Sequence, residues 1–165
     1  MNWEQKSYPE IIDHIVNEHH AYLYETLPGL SQYSERIRDV HGSDHPELTI
    51  VHRLFLQLKK ELEEHMEREE KDTFPAVKRY ASEKKLPEHG RLTEMAAKLA
   101  EEHDASLAIF KKLRELTNDF TLPADACPAY EMVFTKMQEL EAKLKEHIRL
   151  EDEILFARLA QEINH

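Results

Sequence analysis

Two stretches of the chain break the hydrophobic pattern of the helices that contain them. EEHMEREE (63–70) and KEHIRLED (145–152) each place a histidine, and four residues later a glutamate, where the alternation of apolar residues calls for leucine. The pairs are His65 with Glu69 and His147 with Glu151. An imidazole or carboxylate facing a core without partners is costly, so such residues persist there when paired or when binding a cation. One helical turn separates the members of each pair, about 5.4 Å along the axis and about 40° around it, so both reach inward from one face. The acids that follow, Glu70 and Asp152, point about 100° further round and fall outside this set.

The same break recurs elsewhere. EEHDASL puts His103 on an apolar stripe that otherwise reads Leu92, Ala96, Leu99, Ser106, Phe110 and Leu113. NEHHAYL puts His19 or His20 between Val16 and Leu23. The set then holds four histidines and two glutamates. Neutral imidazoles suit iron, zinc, copper or nickel, and carboxylates can bridge two cations while offsetting their charge. Six donors exceed the four of a structural zinc site, so two ions sharing two bridging carboxylates is the better reading. The Glu-x-x-His motif of ferritin-like di-metal bundles is absent, because Leu62, Ala100 and Leu144 stand three residues before the histidines. Glu61, one turn before His65, and Glu102, next to His103, are candidates to support those two ligands.

Four helical segments would position these residues. The first runs from about Tyr8 to Val40, with LPGL (27–30) as a kink or brief break. After HGSDHP, Asp44 and Glu47 have capping-box spacing, and Pro46 suits a first turn. The second segment then reaches Ser82, bent at Pro75; the third covers Glu88 to Asn118; the fourth starts near Asp125 as cap and continues almost to the end. The seam residues Val51, Phe55, Leu58 and Leu62 in the second, and Tyr130, Val133, Met137, Leu140, Leu144 and Ile154 in the fourth, alternate in steps of three and four. That is the packing seam of an all-α, antiparallel up-down-up-down four-helix bundle, expected here as a single domain over residues 1–165.

Composition agrees. Three glycines and seven prolines leave little material for tight β turns, and the apolar runs are too short and too interrupted by charge to span a bilayer. A net charge of −11 offers no basic stripe for nucleic acid. Cys127 is the sole cysteine, which excludes a disulfide or thiolate zinc site within one chain, reads as a packed thiol, and makes a reducing cytoplasm the default location. Of the other histidines, His41 and His45 read as loop and capping residues, His14 as peripheral, and His52, His89 and His165 as solvent-facing.

HMEREEKDTFP and HIRLEDEILF resemble the paired H-x-x-x-E signatures of haemerythrin-like domains. With IIDHIVNEHHAYLYETLPGL, HGSDHPEL, EEHDASL and LPADAC, nearly the whole chain is similar to the di-iron domain of the iron–sulfur cluster repair family. The resemblance implies a non-haem di-iron centre bridged by Glu69 and Glu151, with terminal ligands His20, His65, His103 and His147; manganese or zinc would fit the same donors. It selects His20, whereas matching EHHAYL to EHDASL as a duplicated hairpin would select His19. The fifth histidine and aspartate-containing motif of haemerythrin itself have no counterpart, which leaves coordination positions for small molecules. Family members begin with a small domain bearing adjacent cysteines; this sequence opens at MNWEQKSYPE, near where the resemblance places the start of the di-iron domain. The implied role is protection under nitrosative or oxidative stress: binding or reducing nitric oxide or dioxygen, or supplying iron to damaged iron–sulfur proteins. The rival reading is a reversible gas carrier or sensor without turnover. Either would act as a monomer or dimer.

Overall fold

The computed structural model describes residues 1–83 and 89–163, and among these residues it contains no strand. Four long helices run up, down, up and down, and each packs on its chain neighbours, with the first also against the last. Helix α1 (8–41) comprises α-helix Tyr8–His14, a π-helical turn Ile15–His20 and α-helix Ala21–His41. Helix α2 (47–83) has the same construction, with Glu47–Arg68, a π turn Glu69–Thr73 and Phe74–Glu83. Helix α3 is α-helical throughout, His89–Leu116. Helix α4 (128–163) joins Pro128–Arg149, a π stretch Leu150–Phe156 and Ala157–Ile163. No described helix is long and apolar enough to cross a membrane.

Several boundaries differ from expectation for local reasons. The capping box lies at Ser7 and Glu10, which bond each other's backbone N–H at the start of α1. Asp44 does not cap α2: its N–H is tied to His41 O in the turn that ends α1, and Pro46 precedes the helix without a side-chain cap. Asp125 does not cap α4 either. That helix starts at Pro128 behind an extended Cys127, while Asp125 accepts a hydrogen bond from His45 Nε2 at 2.9 Å. LPGL is no break, because helix passes through Pro28 and packing of the buried Leu27 and Leu30 outweighs the missing N–H. The irregularity expected at Pro75 is the π turn just before it. The expected start of α3 at Glu88 lies outside the described residues. So do the side chains of His89 and His165. Its C-terminal end is closed by three successive left-handed residues, Asn118, Asp119 and Phe120, with Thr117 Oγ1 accepting from Phe120 N–H.

The core is split. One apolar layer contains Leu27, Ile37, Val51, Phe55, Leu58, Leu113, Met137 and Leu140. The other contains Ile11, Ile15, Phe74, Val77, Leu155 and Leu159. The buried histidines and glutamates singled out above lie where each helix passes from one layer to the other, His20 between Ile15 and Leu23, His103 between Leu99 and Ile109, and the pairs His65–Glu69 and His147–Glu151 beside Met66 and Leu150.

Candidate metal centre

His20, His65, Glu69, His103, His147 and Glu151 are all buried, both glutamates completely. Which of His19 and His20 faces inward follows from the π turn. Buried positions along α1 run Ile11, Ile15, His20, Leu23, Leu27, so the step from Ile15 to His20 is five residues. A regular helix would put residue 19 inward; one extra residue turns the chain by about 100° and delivers His20 instead. His19 is left half-buried, its ring 5.4 Å from that of His147. Glu69 begins the π turn of α2 and Glu151 lies in that of α4, whereas His103 sits on α3, which is α-helical throughout.

The four imidazoles turn Nε2 toward the glutamates. Glu69 Oε1 lies 3.2 Å from both His20 Nε2 and His65 Nε2. Glu151 faces two ways: Oε1 is 3.1 Å from His103 Nε2, and Oε2 touches His147 Nε2. His65 and His103 bring their Nε2 atoms to 3.1 Å from one another. Two groups of four result, His20–Glu69–His147–Glu151 and His65–Glu69–His103–Glu151, each with ligand atoms within 4.8 Å of one another. Both contain the same two carboxylates.

Several polar atoms at this level have no hydrogen-bond partner among the described residues: His20 Nε2, both oxygens of Glu69 and Oε1 of Glu151. Buried acceptors that converge with nothing to share between them are what a cation satisfies, so the donor set fits one. Burial, then the charge of Glu151, holds the Glu69 carboxyl well above its ordinary range. Burial opposes the charge on Glu151 too, but His147, with Glu69 and His103 close by, draws it well below. The pair titrates as one unit, with two carboxylates competing for the same positive partners. Burial works against protonation of His20 and His103, yet Glu151 with Glu69 in one case, and Asp152 with Glu151 in the other, lift each to about 9. Burial pushes His147 down, favouring the neutral ring that metals bind.

The outward Nδ1 atoms show what the sequence reading missed. His20 Nδ1 meets Glu70 Oε2 at 3.0 Å, which Tyr24 also reaches with its hydroxyl, and His103 Nδ1 meets both oxygens of Asp152 at 3.0 Å. Glu70 and Asp152 therefore stand outside the inner set, as expected, but each orients a histidine. The signal was there: in both helices the inward glutamate is followed at once by a second acid. Glu102 lies 3.7 Å from His65 Nδ1 and is paired with Arg68. Glu61 plays no such part; it accepts from Gln57 on the surface of α2. His52 is a further correction: it is buried, because Ser34 on α1 meets its Nδ1 at 2.7 Å. His45 joins Asp125, His41 packs against Tyr130, His14 stacks on Trp3, and Cys127 packs on the first core layer.

The chain is similar to known proteins over most of its length. The family model described as "Hemerythrin HHE cation binding domain" matches residues 11–159. The iron-sulfur cluster repair protein ScdA of Staphylococcus haemolyticus (strain JCSC1435) is 28% identical over 152 residues, covering 92% of this chain and 67% of the relative. A probable iron-sulfur cluster repair protein of Haemophilus influenzae is 33% identical over 165 residues, 98% of this chain and 69% of the relative. The iron-sulfur cluster repair protein YtfE of Escherichia coli O81 (strain ED1a) is 31% identical over 157 residues, 95% and 68%. The chain thus spans about two thirds of the length of these relatives.

Proposed function

Because the chain belongs to the haemerythrin HHE cation-binding domain family, and within it to the iron–sulfur cluster repair proteins, we propose that it is a non-haem di-iron protein of the response to nitrosative or oxidative stress. His20 and His147 would hold one iron and His65 and His103 the other, with Glu69 and Glu151 as the carboxylates available to both. The observation that carries this reading is the sharing: two four-residue groups intersect in the same two fully buried carboxylates. Manganese or zinc would also accept these donors, and the similarity to repair proteins is what favours iron.

Iron so held supplies one-electron redox chemistry and coordination positions open to a diatomic molecule. The residues of this chain do the rest. Two imidazoles and two carboxylates make four donors per ion, which leaves room for nitric oxide or dioxygen. The two carboxylate charges offset half of the charge of a ferrous pair. Glu70 and Asp152 hold the Nδ1 protons of His20 and His103, fixing the tautomer that frees Nε2. The apolar layers on either side keep bulk water from the level of the ions. Binding or reducing the gas, or handing iron to damaged iron–sulfur proteins, are the activities this arrangement serves.

The test is metal analysis of protein from its native host, an anaerobic nitric oxide titration of the reduced form, and an assay restoring a nitrosatively damaged iron–sulfur enzyme. About two irons per chain, gas uptake and restoration are expected. Loss of all three, or tight binding of a single ion, would contradict the reading.

A further inference from the structure

A chain of two hydrogen bonds ties the candidate centre to an aromatic ring on the surface. His20 Nδ1 meets Glu70 Oε2 at 3.0 Å, and the Tyr24 hydroxyl donates to the same oxygen at 3.2 Å. Tyr24 stands one turn after His20 on α1, while Glu70 reaches across from the π turn of α2. The carboxylate that orients His20 is thus itself held by a phenol, and that tyrosine is 43% exposed.

The other five tyrosines lack this combination. Tyr8, Tyr80 and Tyr130 are buried, and Tyr22 is half-buried beneath the Lys143 ammonium, 4.1 Å from its ring centre. Tyr33 is 40% exposed, but the Arg36 guanidinium lies over its ring at 5.2 Å. A cation on the face of a ring opposes removal of an electron from it. A carboxylate at the hydroxyl does the reverse, favouring loss of an electron together with the phenolic proton. Burial, then the charge of Glu70, pushes the Tyr24 hydroxyl up to about 12, so at neutral pH it keeps the proton that it donates.

We infer that Tyr24 is a nitration site, modified by nitrogen dioxide, and that the modification acts on the centre through Glu70. The inference rests on the ligand set and the nitrosative setting proposed above, and it adds regulation to them. Nitrogen dioxide forms where nitric oxide meets dioxygen. One molecule takes an electron from Tyr24 and becomes nitrite, while the phenolic proton leaves for solvent along the hydrogen bond to the partly exposed Glu70. A second molecule joins the resulting radical at the ring carbon beside the one that bears oxygen. The hydrogen on that carbon then passes to the oxygen through solvent and restores the phenol. The products are one nitrotyrosine, one nitrite and one proton.

A nitro group beside the hydroxyl withdraws electron density and makes it a far stronger acid, so near neutral pH the modified ring is largely a phenolate. It then donates nothing to Glu70 and faces it with like charge. Glu70 is driven from its place behind His20, and loss of such a partner weakens metal binding by roughly 10- to 100-fold.

The experiment loads the full chain with zinc, which suits the same donors and does no redox chemistry of its own. The protein is then exposed to nitric oxide with limiting dioxygen, and nitrotyrosine is located by peptide mass spectrometry. Nitration at Tyr24 should exceed that at Tyr33 by about tenfold, and Glu70→Gln, which keeps the shape and removes the charge, should bring the two level. Competition with a chelator should show one of the two zinc ions held about tenfold less tightly after nitration. Tyr24→Phe, in which Tyr33 can still react, should bind zinc equally well before and after the same treatment. Nitration that favours Tyr33, a Tyr24 yield indifferent to Glu70→Gln, or unaltered zinc affinity in the nitrated chain would overturn the inference alone. Fewer than two zinc ions bound before treatment would contradict the ligand set, and with it the effect on affinity.

Discussion

The two ends of the bundle solve different problems with the same four helices. Toward the Phe55 end, Leu27, Ile37, Val51, Leu58, Leu113, Met137 and Leu140 pack in unbroken α-helix, with steps of three and four. Toward the Phe74 end, α1, α2 and α4 each carry a π turn, while α3 stays regular. The regular end draws its stability from apolar burial. At the polar level, the side chains aimed inward would each cost free energy if buried alone, and the π turns shift which of them face in. The irregular end is thus built for binding at the expense of packing regularity.

This contrast makes opposite demands of substitutions at the two ends. The largest effect is expected from E69L/E151L, which should abolish iron binding. The metal-free variant should be as stable as metal-free wild type or more so, by about 1–4 kcal/mol, because two buried carboxylates give way to apolar volume. Metal analysis with chemical denaturation checks both signs. Phe55→Ala should do the reverse: a loss of about 3–5 kcal/mol in stability from the cavity, with two ions still bound per folded chain. A variant at either end that lowered both quantities in parallel would erase the distinction.

A smaller effect belongs to the loops at the regular end, where His45 joins Asp125 across the bundle and also lies 3.6 Å from Glu47. The bond to Asp125 raises His45 above its ordinary value and lowers Asp125 below its own. The His45 contribution is fully present below the unfolded imidazole value of about 6.5 and is lost as pH rises through the folded value. The Asp125 contribution is present above the unfolded carboxyl value of about 3.9 and is lost as pH falls through the folded value. The pair should therefore stabilise most between those limits, and Asp125→Asn should lower the melting temperature there and flatten its fall on either side. Both groups are exposed, so the change is small; an unchanged profile would mean the loops are not clamped by this pair.

Much of this was legible in the residues. The seam of α3, Leu92 through Leu113, follows an uninterrupted period, and reading it placed His103 inward directly. On α1 the same reading left His19 and His20 open, because a π turn adds one residue without any residue type that announces it. His52 was misread for another reason: its partner Ser34 lies on a different helix, and pairing across helices leaves no trace in spacing. Asp44 and Asp125 looked like caps, yet one sits in a turn and the other is engaged by His45. Local signals describe what a residue can do, and tertiary partners decide which of those options it takes.

The central claim is that two ions share Glu69 and Glu151. Crystals of protein reconstituted anaerobically with iron, with anomalous data collected on either side of the iron edge, test it most directly. Two peaks are predicted, both contacted by Glu69 and Glu151, one flanked by His20 and His147 and the other by His65 and His103. A single peak, or ions ligated by His19 or Glu70 in place of His20 or Glu69, would contradict it.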